Sequence, residues 1–358
     1  RSSPRCRSRH SATSWRRIRR SIRSGTLSSP DEGNRPLPAR PVLHCRESLS
    51  VAREEGFLHD TKTPAGAAFD VHTHTIMVTA FVLSGGGSLG AVQAGMLLSL
   101  FEAGVTPDII IGTSVGAVNG GWVAARPDVD GTTDLIRVWH SLSRRDVFPT
   151  RFGTSVLCIF GQRRHFASGT GLRRILRQHL RFQLLQDAPT SFHCVATDVL
   201  SGEDVLLSSG DAADAIAASA AIPAILPPVR IDGRDLMDGG VVNNTPLSHA
   251  VGLGADVIYV LPTGYACALR SAPKGALGLA MHAVTIAINQ RLANDVDRFE
   301  SIVDIRVVPP LCPVRVAPTD FSQAALLTEQ SHAATHDWLR RARHSVGQAA
   351  LLEPHRDH

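Results

Sequence analysis

The 358-residue chain is informative first through the features that it lacks. Its six cysteines include no Cys-x-x-Cys pair, which in a chain of this length predicts reduced, unpaired thiols rather than a disulfide framework. No apolar run reaches the roughly 18 residues that a membrane-spanning helix needs. The 30 Gly and 21 Pro are too few for a collagen-like chain, and a hydrophobic content of 43% argues against a wholly disordered one.

The positive charge is confined to one end of the chain. Residues 1–76 hold 14 Lys and Arg against 7 Asp and Glu, whereas residues 77–358 hold 23 against 25. The first 23 positions contain nine arginines and no acidic residue. The net charge of +5 therefore comes from the N-terminal segment. The remainder of the chain is slightly acidic, so its charge does not indicate nucleic-acid binding.

The first 76 residues also lack sustained hydrophobic periodicity. Ser, Pro, Gly and charged residues are mixed there, and no apolar stretch follows the basic start as a secretory signal would require. The Arg- and Ser-rich start bears only a weak likeness to an organellar transit peptide. We predict that residues 1–76 are a disordered or non-native extension, that the folded domain covers residues 77–346 from a start near Met77, and that residues 347–358 form a disordered tail.

From residue 78 onward, short apolar runs alternate with helical patterns. The runs predicted as strands are 78–84, 109–111, 191–196, 205–207, 257–261 and 302–308. The clearest helical patterns are 91–103, a small-residue stretch from Val115, and an amphipathic stretch over 320–346 that Thr319 or Asp320 caps. This alternation predicts a three-layer α/β/α sandwich around a central, mainly parallel sheet.

A glycine-rich turn, Ser84-Gly85-Gly86-Gly87-Ser88-Leu89-Gly90, lies between the first strand and the first helix. Its backbone N–H groups and the helix N-terminus suit a phosphate or an oxyanion. The glycine spacing also matches the dinucleotide fingerprint, which needs an acidic residue about 20 positions later. The second strand instead ends without a carboxylate, so nucleotide binding is only a minor alternative.

The second strand ends in Gly112-Thr113-Ser114-Val115-Gly116, a G-x-S-x-G pentapeptide followed by a helix. In this context the glycines permit a sharp turn that exposes the serine hydroxyl, and the helix dipole favours a developing oxyanion. A third turn, Asp238-Gly239-Gly240, holds a carboxylate between apolar residues. Three neighbouring carboxylates compete with it for a catalytic role: Asp198, Asp232 and Asp235.

The three turns, in this order and spacing, resemble the patatin-like phospholipase family. The resemblance extends over about residues 78–342. Further similar blocks are Pro107–Ser114, Ala196-Thr197-Asp198 with Gly202-Glu203, Ala217–Pro223 with Pro227-Pro228, Asp238–Pro246, and Leu253–Val257. By this resemblance the protein is a lipid acyl hydrolase of the phospholipase A, lysophospholipase or esterase type, with neither metal nor organic cofactor.

The resemblance also implies the roles of individual residues. Ser114 is the nucleophile and Asp238 the general base of a two-residue dyad, and the N–H groups of Gly85, Gly86 and Gly87 form the oxyanion hole. Five further glycines support the turns: Gly90, Gly112, Gly116, Gly239 and Gly240. The expected substrate is a lipid ester.

Two observations leave alternatives open. The family usually has Arg or Lys before the last glycine of its first turn, whereas this chain has Leu89. A catalytically weak lipid- or acyl-binding protein is therefore the main alternative. His249 and His282 follow Asp238 in the order of a Ser–His–Asp hydrolase, which is a further rival.

Residues 140–182 form a basic, apolar segment with nine arginines and one acidic residue. Four apolar residues fall at helical spacing (Leu172, Ile175, Leu176, Leu180), with Arg173, Arg174, Arg177 and Arg181 between them. Two interpretations remain: a cap or lid that contacts anionic lipid surfaces, or an ordinary amphipathic surface helix. With no signal peptide in the pattern, we expect a cytoplasmic protein with peripheral membrane contact through this segment. The pattern leaves the oligomeric state open.

Overall fold

The computed structural model describes residues 77–147, 169–264, 275–312, 316–341 and 352, with the backbone alone for 276–278, 280 and 281. All of them belong to one unit of the chain, His72–His358. The predictions for residues 1–76, for residues 148–168 within the basic segment, and for the C-terminal tail apart from Leu352 fall outside the described residues.

The described residues form a mixed sheet of eight strands. The strands are β1 Thr79–Leu83, β2 Ile109–Thr113, β3 Ser191–Asp198, β4 Asp204–Leu207, β5 Val229–Ile231, β6 Arg234–Asp238, β7 Val257–Leu261 and β8 Asp304–Val307. Following the hydrogen-bonded pairs, the strands connect as β5-β6-β3-β2-β1-β7-β8, with β4 also paired to β3. Strands β3, β2, β1, β7 and β8 run parallel, while β4, β5 and β6 add antiparallel pairings. The prediction of a mainly parallel sheet is confirmed.

Helices connect most of the strands. They are α1 Gly90–Glu102, α2 Val115–Ala124, α3 Val129–Ser141, α4 Arg144–Val147, α5 Thr170–His179, α6 Ala212–Ser219, α7 Leu247–Gly252, α8 Gly275–Phe299 and α9 Ala324–Arg341. Short 3₁₀ turns occur at Gly87–Leu89, Leu185–Asp187 and Gly239–Val241.

Both faces of the sheet are buried. In β1, Phe81 and Leu83 join one hydrophobic cluster with residues of α1, α2, α3, α6 and α9, whereas Ala80 and Val82 join a second cluster with residues of α7 and α8. Because side chains alternate along a strand, a run such as β1 must be apolar throughout to be covered on both sides. This arrangement is the predicted three-layer α/β/α sandwich.

Two sequence expectations need correction. The C-terminal helix begins at Ala324, because Asp320 instead accepts hydrogen bonds from the N–H and hydroxyl of Ser322 in the preceding turn. The expectation of unpaired thiols is met by Cys194, which is buried and free. It is wrong for Cys312, which is disulfide-bonded.

Candidate active site

Two strands that run towards each other bring Ser114 and Asp238 together. Strand β2 lies parallel to β3 and ends with Thr113 beside Val195, while the antiparallel β6 ends with Asp238 beside Ala196. Strand β4 occupies the opposite edge of β3, from Cys194 to Thr197, so β2 and β6 share one edge. The turn that holds Ser114 and the turn that holds Asp238 therefore meet end to end.

Ser114 lies at the start of α2 in a backbone conformation that residues with a side chain rarely adopt. Its φ is 55° and its ψ is −121°. Gly112 and Gly116 permit this turn, since a Cβ on Gly112 would lie 2.3 Å from the Gly116 carbonyl oxygen. The Ser114 N–H donates to Ser219 Oγ at 2.9 Å, and that hydroxyl donates to the Val195 carbonyl at 2.6 Å. Ser219 thus ties the strained turn to β3.

Asp238 accepts a hydrogen bond directly from the Ser114 hydroxyl. Ser114 Oγ donates to Asp238 Oδ2 at 2.6 Å, and the Gly240 N–H donates to Oδ1 at 2.8 Å. Both residues are buried. Burial raises the pKa of Asp238 to about 6, although the hydrogen bonds from Ser114 and Gly240 act in the opposite direction. A carboxylate in this state is a stronger base than a solvated one.

The glycine turn packs beside the nucleophile, and its three N–H groups are not equivalent. The Gly85 N–H donates to the Asn244 carbonyl at 3.1 Å. No acceptor for the N–H groups of Gly86 or Gly87 is found within the described part of the chain. The expectation that the Gly85 N–H contributes to the oxyanion hole therefore needs correction, because this N–H is already bonded to Asn244. For Gly86 and Gly87, a role in the oxyanion hole stays a prediction.

The other glycines predicted to support the turns fill sites too tight for a side chain. A Cβ on Gly90 would lie 2.3 Å from Val115 Cγ2, and one on Gly116 would lie 2.2 Å from the Leu83 carbonyl oxygen. A Cβ on Gly239 would lie 2.2 Å from the Val195 carbonyl oxygen. Gly240 is less confined, with Asn244 Oδ1 at 2.8 Å.

The rival carboxylates have other partners or face solvent. Asp198 accepts hydrogen bonds from Arg234 Nε at 2.6 Å and from the N–H groups of Leu200 and Ser201. The Arg234 hydrogen bond, with those N–H groups, lowers the pKa of Asp198 to about 2. Asp235 pairs with Arg230, and Asp232 is exposed in a turn.

The histidine rivals do not complete a triad. His249 Nε2 lies 3.1 Å from Asp204 Oδ2, and His282 is half-buried on α8. Across the described ranges, no histidine hydrogen-bonds to Ser114 or Asp238. In this part of the chain, Ser114 and Asp238 therefore pair without a histidine, and the two-residue dyad stays a prediction.

An apolar pocket opens at Ser114. It is open to solvent, and the space between its walls and across its mouth amounts to about 820 Å³. Residues of α2, α3 and α5 form most of the wall, which is apolar apart from Ser114 and His179. The apolar lining includes Val115, Val118, Trp122, Leu135, Val138, Trp139, Leu172, Ile175 and Leu176. The shape and chemistry of this pocket fit a hydrocarbon chain.

The described parts of residues 140–182 contribute to this pocket. The predicted apolar stripe of Leu172, Ile175, Leu176 and Leu180 lines it. Arg173 pairs with Asp214 at 2.9 Å, and Arg177 and Arg181 lie within 4.0 Å of carboxylates on the body of the protein. Several of these arginines are thus bound within the molecule.

Leu89, where the family usually has Arg or Lys, is half-buried against the hydrophobic core. Sequence reasoning gave no role to Ser219, Asn244 or Thr263, which contact the Ser114 turn or the glycine turn. Ser219 and Asn244 lie in blocks that carry the family resemblance, whereas Thr263 follows β7 without a motif. Where the structure describes side chains, no group of three or more His, Cys, Asp or Glu is arranged to hold a metal ion.

Comparisons with known proteins identify a family model and several similar sequences. The patatin-like phospholipase family model matches residues 81–251. A lysophospholipase nte1 of Aspergillus terreus is 31% identical over 186 residues, covering 51% of this chain and 12% of that protein. Patatin-like phospholipase domain-containing protein 7 of Mus musculus is 29% identical over 187 residues, covering 52% and 13%. This chain thus spans about one eighth of these relatives.

Likeness to solved structures is more distant. VipD from Legionella pneumophila aligns with 15% identity and a TM-score of 0.41 over 74% of this chain and 67% of that one, too low to carry an inference. No helix in the described ranges is both long and apolar enough to cross a membrane. Through residues 81–251, slightly less than half of its length, this chain is similar to the patatin-like phospholipase family.

Proposed function

We propose that this protein hydrolyses carboxylic ester bonds of lipids through a Ser114–Asp238 dyad and an acyl-enzyme intermediate. The observation that carries the proposal is the 2.6 Å hydrogen bond from Ser114 Oγ to Asp238 Oδ2, made where an apolar pocket opens. A serine hydroxyl is a poor nucleophile until a neighbouring base accepts its proton. Asp238 is positioned to accept it.

In the first half-reaction, Ser114 Oγ attacks the ester carbonyl carbon as its proton passes to Asp238 Oδ2. The carbonyl oxygen becomes an oxyanion, stabilised by the N–H groups of Gly86 and Gly87 and by the N-terminus of α2. Each preset donor in such a site contributes about 3–4 kcal/mol. The bond to the alcohol then breaks, and the alcohol leaves with the proton held by Asp238.

In the second half-reaction, water replaces the alcohol. Asp238 accepts a proton from the water as its oxygen attacks the acyl-enzyme carbonyl carbon. The Ser114 ester bond breaks, the proton returns to Ser114 Oγ, and the carboxylic acid departs. The Gly240 N–H, bonded to Asp238 Oδ1, keeps Oδ2 directed at the reacting groups through both steps.

The substrate class follows from the pocket and the relatives. An apolar wall beside the nucleophile suits the acyl chain of a lipid, and the curated relatives bear the names lysophospholipase and patatin-like phospholipase. Phospholipid, lysophospholipid, galactolipid and triacylglycerol all present such a chain.

Hydrolysis of p-nitrophenyl esters tests this function. We expect turnover by the wild-type chain, and a fall in kcat of at least about 10³-fold in Ser114→Ala and Asp238→Ala. His249→Ala is the matched control and should keep most of the activity. Turnover that survives Ser114→Ala would contradict the mechanism. Fatty-acid binding without wild-type turnover would favour the alternative of an acyl-binding protein, which Leu89 suggests.

We also propose peripheral contact with anionic lipid surfaces through residues 140–182. The support is a set of three exposed arginines, Arg144, Arg145 and Arg174. Arg173, Arg177 and Arg181, by contrast, form ion pairs within the protein. Replacing Arg144, Arg145 and Arg174 with glutamate should weaken flotation with phosphatidylserine vesicles but leave p-nitrophenyl ester turnover unchanged. Equal flotation of wild type and variant would contradict this contact.

A further inference from the structure

Thr263 holds the peptide group between Gly85 and Gly86. It lies two residues beyond the end of β7, which pairs in parallel with β1, so it stands next to the glycine turn that follows β1. Its buried Oγ1 donates to the Gly85 carbonyl at 2.7 Å. Two other groups reach the same carbonyl over longer distances, Ser84 Oγ at 3.3 Å and Asn244 Nδ2 at 3.4 Å. The Thr263 hydroxyl therefore makes the strongest of the three contacts.

Holding this carbonyl also orients the next N–H. A peptide group is planar and trans, so the Gly85 carbonyl and the Gly86 N–H point in opposite directions. The Gly85 N–H is bonded to the Asn244 carbonyl at 3.1 Å, which fixes the other side of the same residue. The Gly86 N–H, by contrast, has no acceptor within the described part of the protein. It is left available to a ligand.

The close packing of Thr263 against Gly86 explains why residue 86 is glycine. A Cβ there would lie 2.0 Å from Thr263 Oγ1 and 2.6 Å from Thr263 Cβ. The Thr263 N–H donates to Ser84 Oγ at 2.9 Å, so the threonine is anchored by its backbone as well. The side chain, the turn and the end of β1 form one rigid unit.

We infer that Thr263 is a positioning residue that aims the Gly86 N–H at the oxyanion. This role rests on the proposed ester hydrolysis, and Thr263 itself touches neither substrate nor reacting atoms. Its hydroxyl holds the Gly85–Gly86 peptide in the one orientation in which the donor is preset. Loss of that hydroxyl lets the peptide rotate, which weakens binding of the oxyanion more than binding of the ester.

The test compares Thr263→Val, which keeps the branched shape, with Thr263→Ser, which keeps the hydroxyl. We expect kcat for a p-nitrophenyl ester to fall about 10- to 100-fold in Thr263→Val with KM within about threefold, and Thr263→Ser to restore most of the activity. The inhibition constant of an alkyl trifluoromethyl ketone, which forms an oxyanion on the serine, should rise in parallel with the loss of kcat. Thr263→Ala supplies a second variant without the hydroxyl should Thr263→Val unfold.

Thr335→Val is the matched control, because Thr335 is buried on α9 and its Oγ1 has no hydrogen-bond partner among the described residues. It should match wild type in kcat and in the ketone's inhibition constant. Wild-type kcat and wild-type ketone inhibition in folded Thr263→Val or Thr263→Ala would overturn the role of Thr263. Absence of ester turnover in the wild-type chain would instead overturn the proposed function, and the role of Thr263 with it.

Discussion

Thr113 and Asp238 lie beside successive residues of β3, Val195 and Ala196, although their strands run in opposite directions. The next residue after Thr113 is Ser114, the proposed nucleophile. The register of both strands on β3 thus sets the separation between Ser114 and Asp238, and Ser219 anchors the Ser114 turn to β3 by donating to the Val195 carbonyl. A rigid strand positions such a pair more accurately than two mobile loops would.

The pH dependence of activity should report the ionisation of Asp238. Burial raises its pKa to about 6, and only the deprotonated carboxylate can accept the Ser114 proton. We expect kcat/KM to rise about tenfold per pH unit below that value and to level off above it. A pH–rate profile on a p-nitrophenyl ester measures this limb. A profile that is flat from pH 4 to pH 8 would contradict the assignment.

The burial of the ionised Asp238 carboxylate lowers the free energy of unfolding. Between about pH 4 and pH 6 the folded protein holds a proton that the unfolded chain releases, so the free energy of unfolding falls as the pH rises through this window. Asp238→Asn removes the buried charge and should raise the free energy of unfolding by about 1–3 kcal/mol at pH 8.

Urea unfolding at pH 8 and pH 4 measures that difference, which should shrink at the lower pH. The exposed Asp232→Asn is the control, and its effect should stay within about 0.5 kcal/mol at both values. A destabilised Asp238→Asn at pH 8 would argue that the carboxylate supports the fold.

Gly116 should be intolerant of any side chain. Its Cβ would lie 2.2 Å from the Leu83 carbonyl oxygen, a backbone atom that cannot yield without moving β1. We expect Gly116→Ala to lower the free energy of unfolding by about 2–4 kcal/mol and to lower kcat as Ser114 shifts. Gly252→Ala on α7, where no atom lies within 4 Å of the new Cβ, should change stability by no more than about 1 kcal/mol. Equal stability of the two variants would show that the turn is loosely packed.

The apolar pocket should set acyl-chain preference. Ile175 on α5 lines it, so Ile175→Trp reduces the space for a chain. We expect kcat/KM for p-nitrophenyl dodecanoate to fall about tenfold relative to the butanoate. Leu200→Trp, at a site that is 90% exposed, is the control and should leave the ratio unchanged. An unchanged ratio in Ile175→Trp would place the acyl chain elsewhere.

The sequence predicts the centre of the fold better than its edges. Strand β7 matches the predicted run 257–261, because a strand buried on both faces must be apolar throughout. The start of the C-terminal helix is predicted less accurately, since Asp320 can cap either a helix or a turn and only tertiary packing decides between them.

Of the site, the nucleophile and base turns carry glycine signals that a sequence reveals. The antiparallel approach of β6 to the end of β2 has no such signal, because it depends on pairing with β3. The contact of Thr263 with the glycine turn likewise has no sequence motif that would predict it. Only the pairing of β7 with β1 brings its hydroxyl to Gly85.

The most direct test of the dyad is covalent labelling by an alkyl fluorophosphonate, located by peptide mass spectrometry. An activated serine attacks phosphorus and expels fluoride, leaving a stable phosphonyl ester. We predict one label on Ser114 in the wild-type chain, and labelling slower by at least about 100-fold in Asp238→Asn. A label on another residue, or equal rates in the two proteins, would contradict the Ser114–Asp238 dyad.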